Sequence, residues 1–76
     1  MTWRGNVVRE RLSAGSKSEH QAIVLVTEAG ERFKLRRRGG NPFQDPTLDP
    51  LEGKRIECEG ILRGYQIIMT RWKVLD

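Results

Sequence analysis

Positive side chains dominate one short segment of the chain, and their spacing suggests contact with phosphate groups. The cations of residues 32–38 have no acid among them; they are Arg32, Lys34, Arg36, Arg37 and Arg38. The net charge of the whole chain is +4. Without these five charges the remainder would carry −1 (+4 minus 5). The protein is therefore near neutral with one basic stripe, which is the arrangement that a phosphate backbone attracts, although a solvated strand face looks the same.

The order of residues in this stripe favours a strand over a helix. Arg32, Lys34 and Arg36 alternate with Phe33 and Leu35. In an extended strand, successive side chains point to opposite faces, so the three cations lie together on one face. The two apolar residues then point into a core.

Other residues that could do chemistry are few. His20 is the single histidine and Cys58 the single cysteine. His20 is interpreted as a solvated loop residue, and Cys58 as a buried structural thiol on an apolar strand face. Glu57 and Glu59 are interpreted as a solvated outer face rather than a catalytic pair, because same-face neighbours on a strand lie about 7 Å apart. No enzyme activity, metal or cofactor is predicted.

Five segments of the chain have an apolar pattern and are predicted to be strands. These strands would position the residues described above. They are Trp3–Leu12, Gln21–Glu28, Arg32–Arg36, Lys54–Arg63 and Gln66–Leu75. A polar loop is predicted at 13–19, and tight turns at 28–31 and 63–65.

Three local features refine this prediction. Gly5 suits a strongly bent strand, and the alternation slips between Met69 and Trp72, which indicates a bulge. The prolines of residues 42–50 exclude a long helix but allow one helical turn, with Asp49 as N-cap, Pro50 at N1 and Gly53 beyond its end. The predicted apolar anchors of this region are Phe43, Leu48 and Leu51.

The totals indicate one small domain spanning residues 1–76. A single cysteine cannot form an intrachain disulfide, which favours a reducing, cytoplasmic setting. Neither a signal peptide nor a membrane span is predicted.

The run from Leu51 to Gly64 (LEGKRIECEGILRG) resembles the fourth strand of many OB-fold domains, where a Gly-Lys pair enters the strand and a tight turn follows. The tail from Ile67 to Leu75 resembles the closing strand. The resemblance implies an all-β, five-stranded OB-fold barrel with strands β1, β2 and β3, a short helical turn, then β4 and β5. It also implies a small stand-alone bacterial protein.

Domains of this kind that bind single-stranded nucleic acid use the face of the second and third strands and the flanking loops. The predicted binding residues are Arg32, Lys34, Arg36, Arg37, Arg38, Lys17, Arg63 and Tyr65. The hypothesis is therefore a single-stranded DNA or RNA partner, without membrane binding. The alternative is a protein interaction or assembly module without a nucleic-acid role. Trp3 and Trp72 are ambiguous between core and exposed stacking positions.

Overall fold

The computed structural model describes residues 1–12, 20–40 and 46–75. Its elements, in chain order, are β1 (Thr2–Leu12), β2 (His20–Thr27), β3 (Arg32–Arg37), a 3₁₀ turn η1 (Asp49–Leu51), β4 (Arg55–Arg63) and β5 (Gln66–Val74). Each strand begins and ends within one residue of the prediction. The predicted loop at 13–19 and the predicted anchor Phe43 lie outside the described residues.

The five strands form one sheet that closes into a ring in the order β1-β2-β3-β5-β4, with β4 pairing back onto β1. All neighbours are antiparallel except β3 and β5, which are parallel. Closure leaves the sheet without a free edge along most of its length, which removes the exposed strand edges that a small open sheet would present. The all-β prediction is confirmed to this extent.

Two glycines allow the backbones to approach closely enough for closure. Gly5 pairs with Thr27 of β2 and with Ile56 of β4, so β1 changes partners there. A Cβ at Gly5 would lie 2.1 Å from the Val26 carbonyl oxygen, and a Cβ at Gly60 would lie 2.1 Å from the Ile68 carbonyl oxygen. No side chain fits either position, so glycine is required at both by the close approach of the neighbouring backbone.

A bulge interrupts the β4–β5 ladder at the predicted place. Glu59 pairs with Arg71, whereas the next residue, Gly60, pairs with Met69, so Thr70 is an extra residue on β5. Its hydroxyl donates a hydrogen bond to the Glu59 carbonyl oxygen at 3.3 Å. Because Thr70 is an extra residue, the alternation of β5 shifts by one position there, and residues on both sides of the bulge can face the core.

The core fills the ring and is apolar. Its buried residues come from all five strands and from the region of η1; they are Val7, Ile23, Leu25, Leu35, Leu48, Leu51, Ile56, Cys58, Ile67 and Met69. Leu48 and Leu51 are both buried in this core. The Gly53 amide, just after η1, donates to the Val7 carbonyl at 2.8 Å and so ties this region to β1.

The predicted N-cap at Asp49 is wrong. Asp49 is the first residue of η1, and Leu48 occupies the cap position without a side-chain hydrogen bond. The Asp49 carboxylate instead accepts a hydrogen bond from Arg9 at 3.2 Å, and Glu52 accepts another at 2.8 Å. This tertiary ion pair anchors the turn to β1 in place of the predicted local cap.

Candidate nucleic-acid interface

Strand β3 carries its cations on the outside of the ring, as the alternation predicts. Leu35 is buried and Phe33 is half-buried against the core, so Arg32, Lys34 and Arg36 occupy the outer positions. Arg32 forms an ion pair with Glu10 of β1. Its charge is therefore partly compensated, and Lys34 and Arg36 are the stronger candidates for an anionic partner.

The parallel pairing of β3 with β5 extends the outer face of β3 across two more strands. Lys34 pairs with Gln66, and Gln66 pairs in turn with Arg63 of β4. These three outer residues form one row across the sheet. The Lys34 amide also donates to the Tyr65 carbonyl oxygen at 2.8 Å, which ties the β4–β5 turn to β3. The Tyr65 side chain is 70% exposed in this turn, one residue before Gln66.

The next row of the same face is apolar at two of its three positions. Arg36 pairs with Ile68, and Ile68 pairs with Ile61, whose side chain is 57% exposed. We call the two rows and the adjoining tyrosine the basic surface; it consists of Lys34, Arg36, Ile61, Arg63, Tyr65, Gln66 and Ile68. It combines cations with exposed apolar and aromatic area.

The cations of the basic surface form no ion pair within residues 1–12, 20–40 and 46–75; they are Lys34, Arg36 and Arg63. The Arg36 Nε is shielded from solvent and has no hydrogen-bond acceptor in the same part of the chain. A buried donor without an acceptor is unfavourable by about 1–3 kcal/mol, so Arg36 would gain from a local rearrangement that supplies one.

The remaining predicted binding residues are placed differently. Arg37 is half-buried and lies two positions after Leu35 on β3. Strand alternation therefore puts it on the same face as Leu35, opposite the basic surface. Arg38 is exposed in the turn after β3, and its amide donates to the Met69 carbonyl at 3.0 Å. Lys17 lies outside the described residues, as does the side chain of His20.

The large aromatic residues, apart from the exposed Tyr65, pack against the core in the described structure. Trp3, Phe33 and Trp72 are half-buried against it, and the rings of Trp3 and Phe33 lie 6.4 Å apart at 58°. Tilted pairs at such distances stabilise an apolar interior. Trp3 and Trp72 thus combine the two expected positions, since each packs against the core and stays partly exposed. Tyr65 is the most exposed aromatic side chain that the structure describes.

A second charged surface covers the outside of β1, β4 and the end of β5. Its residues are Arg4, Glu28, Arg55, Glu57, Glu59, Arg71 and Lys73, and we call it the paired surface. Arg4 contacts Glu57 at 2.5 Å and Arg55 contacts Glu28 at 2.5 Å. The Arg4 hydrogen bond lowers the pKa of Glu57, with a smaller contribution from Lys73. Here each cation has an acid within ion-pair distance, which confirms that Glu57 and Glu59 belong to a charged outer face.

A half-open cavity of about 160 Å³ indents the paired surface. Its lining consists of Glu57, Glu59, Arg71, Trp72 and Lys73. Two acids and two bases give it no net charge, so it offers no preference for an anion or a cation.

Cys58 lies directly beneath the paired surface and is 1% exposed. Burial raises the pKa of its thiol to about 11. The predicted burial of this thiol is confirmed. In the described residues, no group of three His, Cys, Asp or Glu side chains is placed to hold a metal ion. Nor does any described helix have the length and apolar character needed to cross a membrane.

Sequence reasoning missed three residues of the basic surface: Ile61, Gln66 and Ile68. Their outward direction follows from the alternation of β4 and β5, but their place beside Lys34 and Arg36 depends on the parallel pairing of β3 with β5. The sequence offered one indication of Gln66, because this residue directly follows Tyr65, a predicted binding residue in the turn. Comparisons with models of known protein families, with curated proteins and with solved structures gave no match to this chain.

Proposed function

We propose that this chain is an OB-fold barrel that binds single-stranded nucleic acid through the basic surface. The observation that carries the proposal is the row Lys34–Gln66–Arg63 with Tyr65 beside it. It combines cations that lack acidic neighbours in the described structure with an exposed aromatic ring. Backbone-tracking cations and stacking aromatics are the two components that non-specific single-strand binding requires.

The cations are spaced for an extended backbone. Lys34 and Arg36 are two residues apart on β3, which corresponds to about 7 Å along the strand. Arg63 lies two strands away in the row of Lys34, at roughly 10 Å by normal strand spacing. Three positive charges over this distance would attract successive phosphates rather than a single isolated anion.

The apolar part of the basic surface would receive the bases. Tyr65 offers a π-face that any base can stack on, and Ile61 and Ile68 add apolar area in the row of Arg36. Bases inside a duplex are already stacked and cannot use these contacts, so the proposed ligand is a single strand.

The strand order supports an OB-fold barrel. The five strands close into a ring in the order β1-β2-β3-β5-β4, with a short helical turn between β3 and β4 in the chain. The resemblance implies five strands and a helical turn in this chain order. OB-fold domains bind oligonucleotides with the second and third strands and with the loop that joins the fourth to the fifth. The basic surface uses β3 and that same connection.

The proposal is tested by measuring oligonucleotide affinity as a function of salt. A labelled single-stranded 20-mer is titrated with protein and followed by fluorescence anisotropy at several salt concentrations. With three phosphates neutralised, log affinity should fall with log salt with a slope of about −2. The triple variant Lys34→Ala, Arg36→Ala, Arg63→Ala should flatten the slope.

A matched control removes the same number of positive charges from the paired surface. The variant Arg55→Ala, Arg71→Ala, Lys73→Ala should retain most of the affinity, because those cations already face Glu28, Glu59 and Glu57. Absence of binding at low salt, or equal loss in both triple variants, would reject the proposal.

A protein-binding role is favoured by one further observation. Ile61 is 57% exposed and its neighbour Leu62 38%, although both lie on strand β4. Exposed aliphatic side chains next to cations would suit an acidic, apolar partner protein. A one-to-one protein complex that survives nuclease and is lost in Ile61→Ser would support this role, if the chain also fails to bind oligonucleotides.

A further inference from the structure

We propose that Glu10 is an inhibitory acid of the nucleic-acid site, which holds Arg32 away from the ligand. This inference rests on the proposed function, because it concerns the regulation of the same site. Arg32 is one of the predicted binding residues, and its ion pair with Glu10 is what distinguishes it from Lys34 and Arg36. A ligand that replaced Glu10 would gain a further cation.

The position of Arg32 is the first part of the case. Arg32 precedes Lys34 by two residues on β3 and lies on the same outer face, about 7 Å away along the strand. Arg36 follows Lys34 at the same interval. The three cations therefore form one line, and a phosphate backbone that contacts Arg36 and Lys34 would reach Arg32 next.

The ion pair of Glu10 with Arg32 crosses strand β2. Glu10 of β1 is in register with Ala22 of β2, whereas Arg32 of β3 is in register with Val26 of β2. Because β2 lies between β1 and β3 in the sheet, the two side chains meet over its outer face. Val24 lies midway between the two register positions, so the ion pair passes over it.

The burial of β2 agrees with this placement. Ile23 and Leu25 belong to the core, so strand alternation directs Ala22 and Val24 outward. Outward residues of a closed ring are normally accessible to solvent, yet both of these side chains are buried. A contact that crosses the strand accounts for part of this burial. The ion pair is therefore a cover over β2 when no ligand is bound.

The ion pair is weak enough for a phosphate to replace it. The Arg32 side chain is well exposed, and exposed ion pairs shift an equilibrium by about fivefold at most. The Glu10 Oε1 atom is shielded from solvent and has no hydrogen bond of normal geometry in the described part of the chain. Charge attraction is thus the main contribution to this contact, and a phosphate offers Arg32 the same attraction. Until it is replaced, Glu10 occupies Arg32 and repels the ligand.

The test compares the wild type with Glu10→Gln in the same oligonucleotide titration at several salt concentrations. The substitution removes the charge of the acid and keeps its shape, so Arg32 becomes available to a fourth phosphate. The slope of log affinity against log salt should steepen from about −2 to about −2.8. At the lowest salt concentration the affinity should rise roughly fivefold, the upper value for an exposed ion pair.

A second substitution, Arg32→Ala, identifies the residue through which Glu10 acts. In the Glu10→Gln protein it should return the slope to about −2, because the added phosphate contact is lost. In the wild type it should leave the slope unchanged, since Arg32 is already engaged by Glu10. A gain that persists in the double variant would show that Glu10 acts without Arg32, and it would overturn the proposal.

Glu57→Gln is the matched control. Glu57 also forms an ion pair with an arginine, Arg4, and its side chain is 22% exposed, against 30% for Glu10. The substitution changes the net charge by the same amount but releases a cation of the paired surface, so the slope should stay near −2. Equal gains in both glutamine variants would assign the effect to net charge and overturn the role of Glu10. Urea unfolding midpoints show whether each variant remains folded.

The outcomes separate the two proposals. If the wild type binds with a slope of about −2 and Glu10→Gln binds with the same slope and affinity, the inhibitory role of Glu10 is overturned and the proposed function stands. If neither protein binds an oligonucleotide at low salt, the proposed function fails and the role of Glu10 falls with it.

Discussion

The β4–β5 ladder carries two different outer surfaces on one pair of strands. Before the bulge, the outward positions of β4 are Glu57 and Glu59, which face Lys73 and Arg71 of β5. After the bulge, the outward positions are Ile61 and Arg63, which face Ile68 and Gln66. Gly60 and Thr70 mark the boundary. The same local geometry thus supports a surface of compensated charges and a surface of uncompensated ones.

The difference shows why total charge is a weak guide to binding. The paired surface holds four cations of its own, Arg4, Arg55, Arg71 and Lys73, but each lies within 4 Å of a carboxylate. An external anion would have to compete with those acids. On the basic surface the cations of the described residues face no such competitor, so the attraction for phosphate is greater there.

The largest expected effect concerns Gly60, which lies at the boundary between the two surfaces. Gly60→Val places a Cβ 2.1 Å from the Ile68 carbonyl oxygen, a backbone atom that cannot rotate away. The strands must separate, and we expect a loss of about 3 kcal/mol in the free energy of unfolding, at the upper end for overpacking. Urea denaturation followed by tryptophan fluorescence measures this loss.

Gly64→Ala, in the turn of the same hairpin, is the control for the Gly60 substitution. It meets no atom within 4 Å and is disfavoured only by its φ of +61°, so the expected loss is about 1–2 kcal/mol. A Gly60→Val protein as stable as Gly64→Ala would show that close strand approach does not hold the two surfaces together.

The second effect concerns Tyr65, the most exposed aromatic side chain that the structure describes. Tyr65→Ala should weaken oligonucleotide binding by about 1–3 kcal/mol, the value of one stacked base. The free energy of unfolding should hardly change, because the ring is 70% exposed. Tyr65→Phe keeps the stacking face and should bind like the wild type. Equal affinity of Tyr65→Ala and wild type would show that Tyr65 does not contribute to binding and that the cations of the basic surface act without it.

Local pattern predicted the parts of this molecule that depend on local geometry. The alternation of Phe33 and Leu35 with their basic neighbours fixed the faces of β3. The slip between Met69 and Trp72 located the bulge, and Gly5 marked a position where no side chain fits. In each case the residues that determine the feature lie within a few positions of one another.

Local sequence patterns could not predict which strands pair when those strands are distant in the chain. Nothing in residues 32–37 indicates that β5 lies alongside in parallel, yet this pairing brings Gln66 to Lys34. The ion pair of Arg32 with Glu10 has the same origin, and it removes Arg32 from the strongest candidates. Alternation assigns a side chain to a face, whereas its neighbours on that face depend on which distant strands pair and in which register.

The third prediction tests the interior beneath the paired surface. Burial raises the pKa of Cys58 from its usual 9.0 to about 11, and nearby Glu57 adds to the shift. The thiolate fraction at pH 8 is then about 100-fold lower than in an exposed cysteine, so alkylation by iodoacetamide should be slower by at least that factor. Protein in urea should react at the normal rate, and rapid reaction of the native protein would contradict the buried position.

The same shift makes stability depend on pH in the alkaline range. The native thiol keeps its proton up to about pH 11, whereas the unfolded thiol releases it near its usual value. The stabilising contribution of Cys58 is therefore complete at neutral pH and is lost as the pH rises through this window. Cys58→Ala should remove this alkaline dependence.

The smallest expected effect tests whether the acids of the paired surface form their ion pairs in solution. The hydrogen bond from Arg4 lowers the pKa of Glu57, and Lys73 assists. Arg4→Ala should raise that pKa toward its usual value, as measured by NMR titration of the Glu57 carboxyl carbon. Lys34→Ala, on the basic surface, should leave it unchanged.

The sign of the associated stability change follows from the direction of the pKa shift. A carboxyl whose native pKa is lowered stabilises the fold above its unfolded pKa and loses that contribution as the pH falls through the native value. The stability difference between the wild type and Arg4→Ala should therefore be present at neutral pH and shrink in acid. If the Glu57 pKa does not respond to Arg4, the ion pair does not persist in solution. Arg4 would then be as available to an external anion as Lys34, and the distinction between the two surfaces would lose its electrostatic basis.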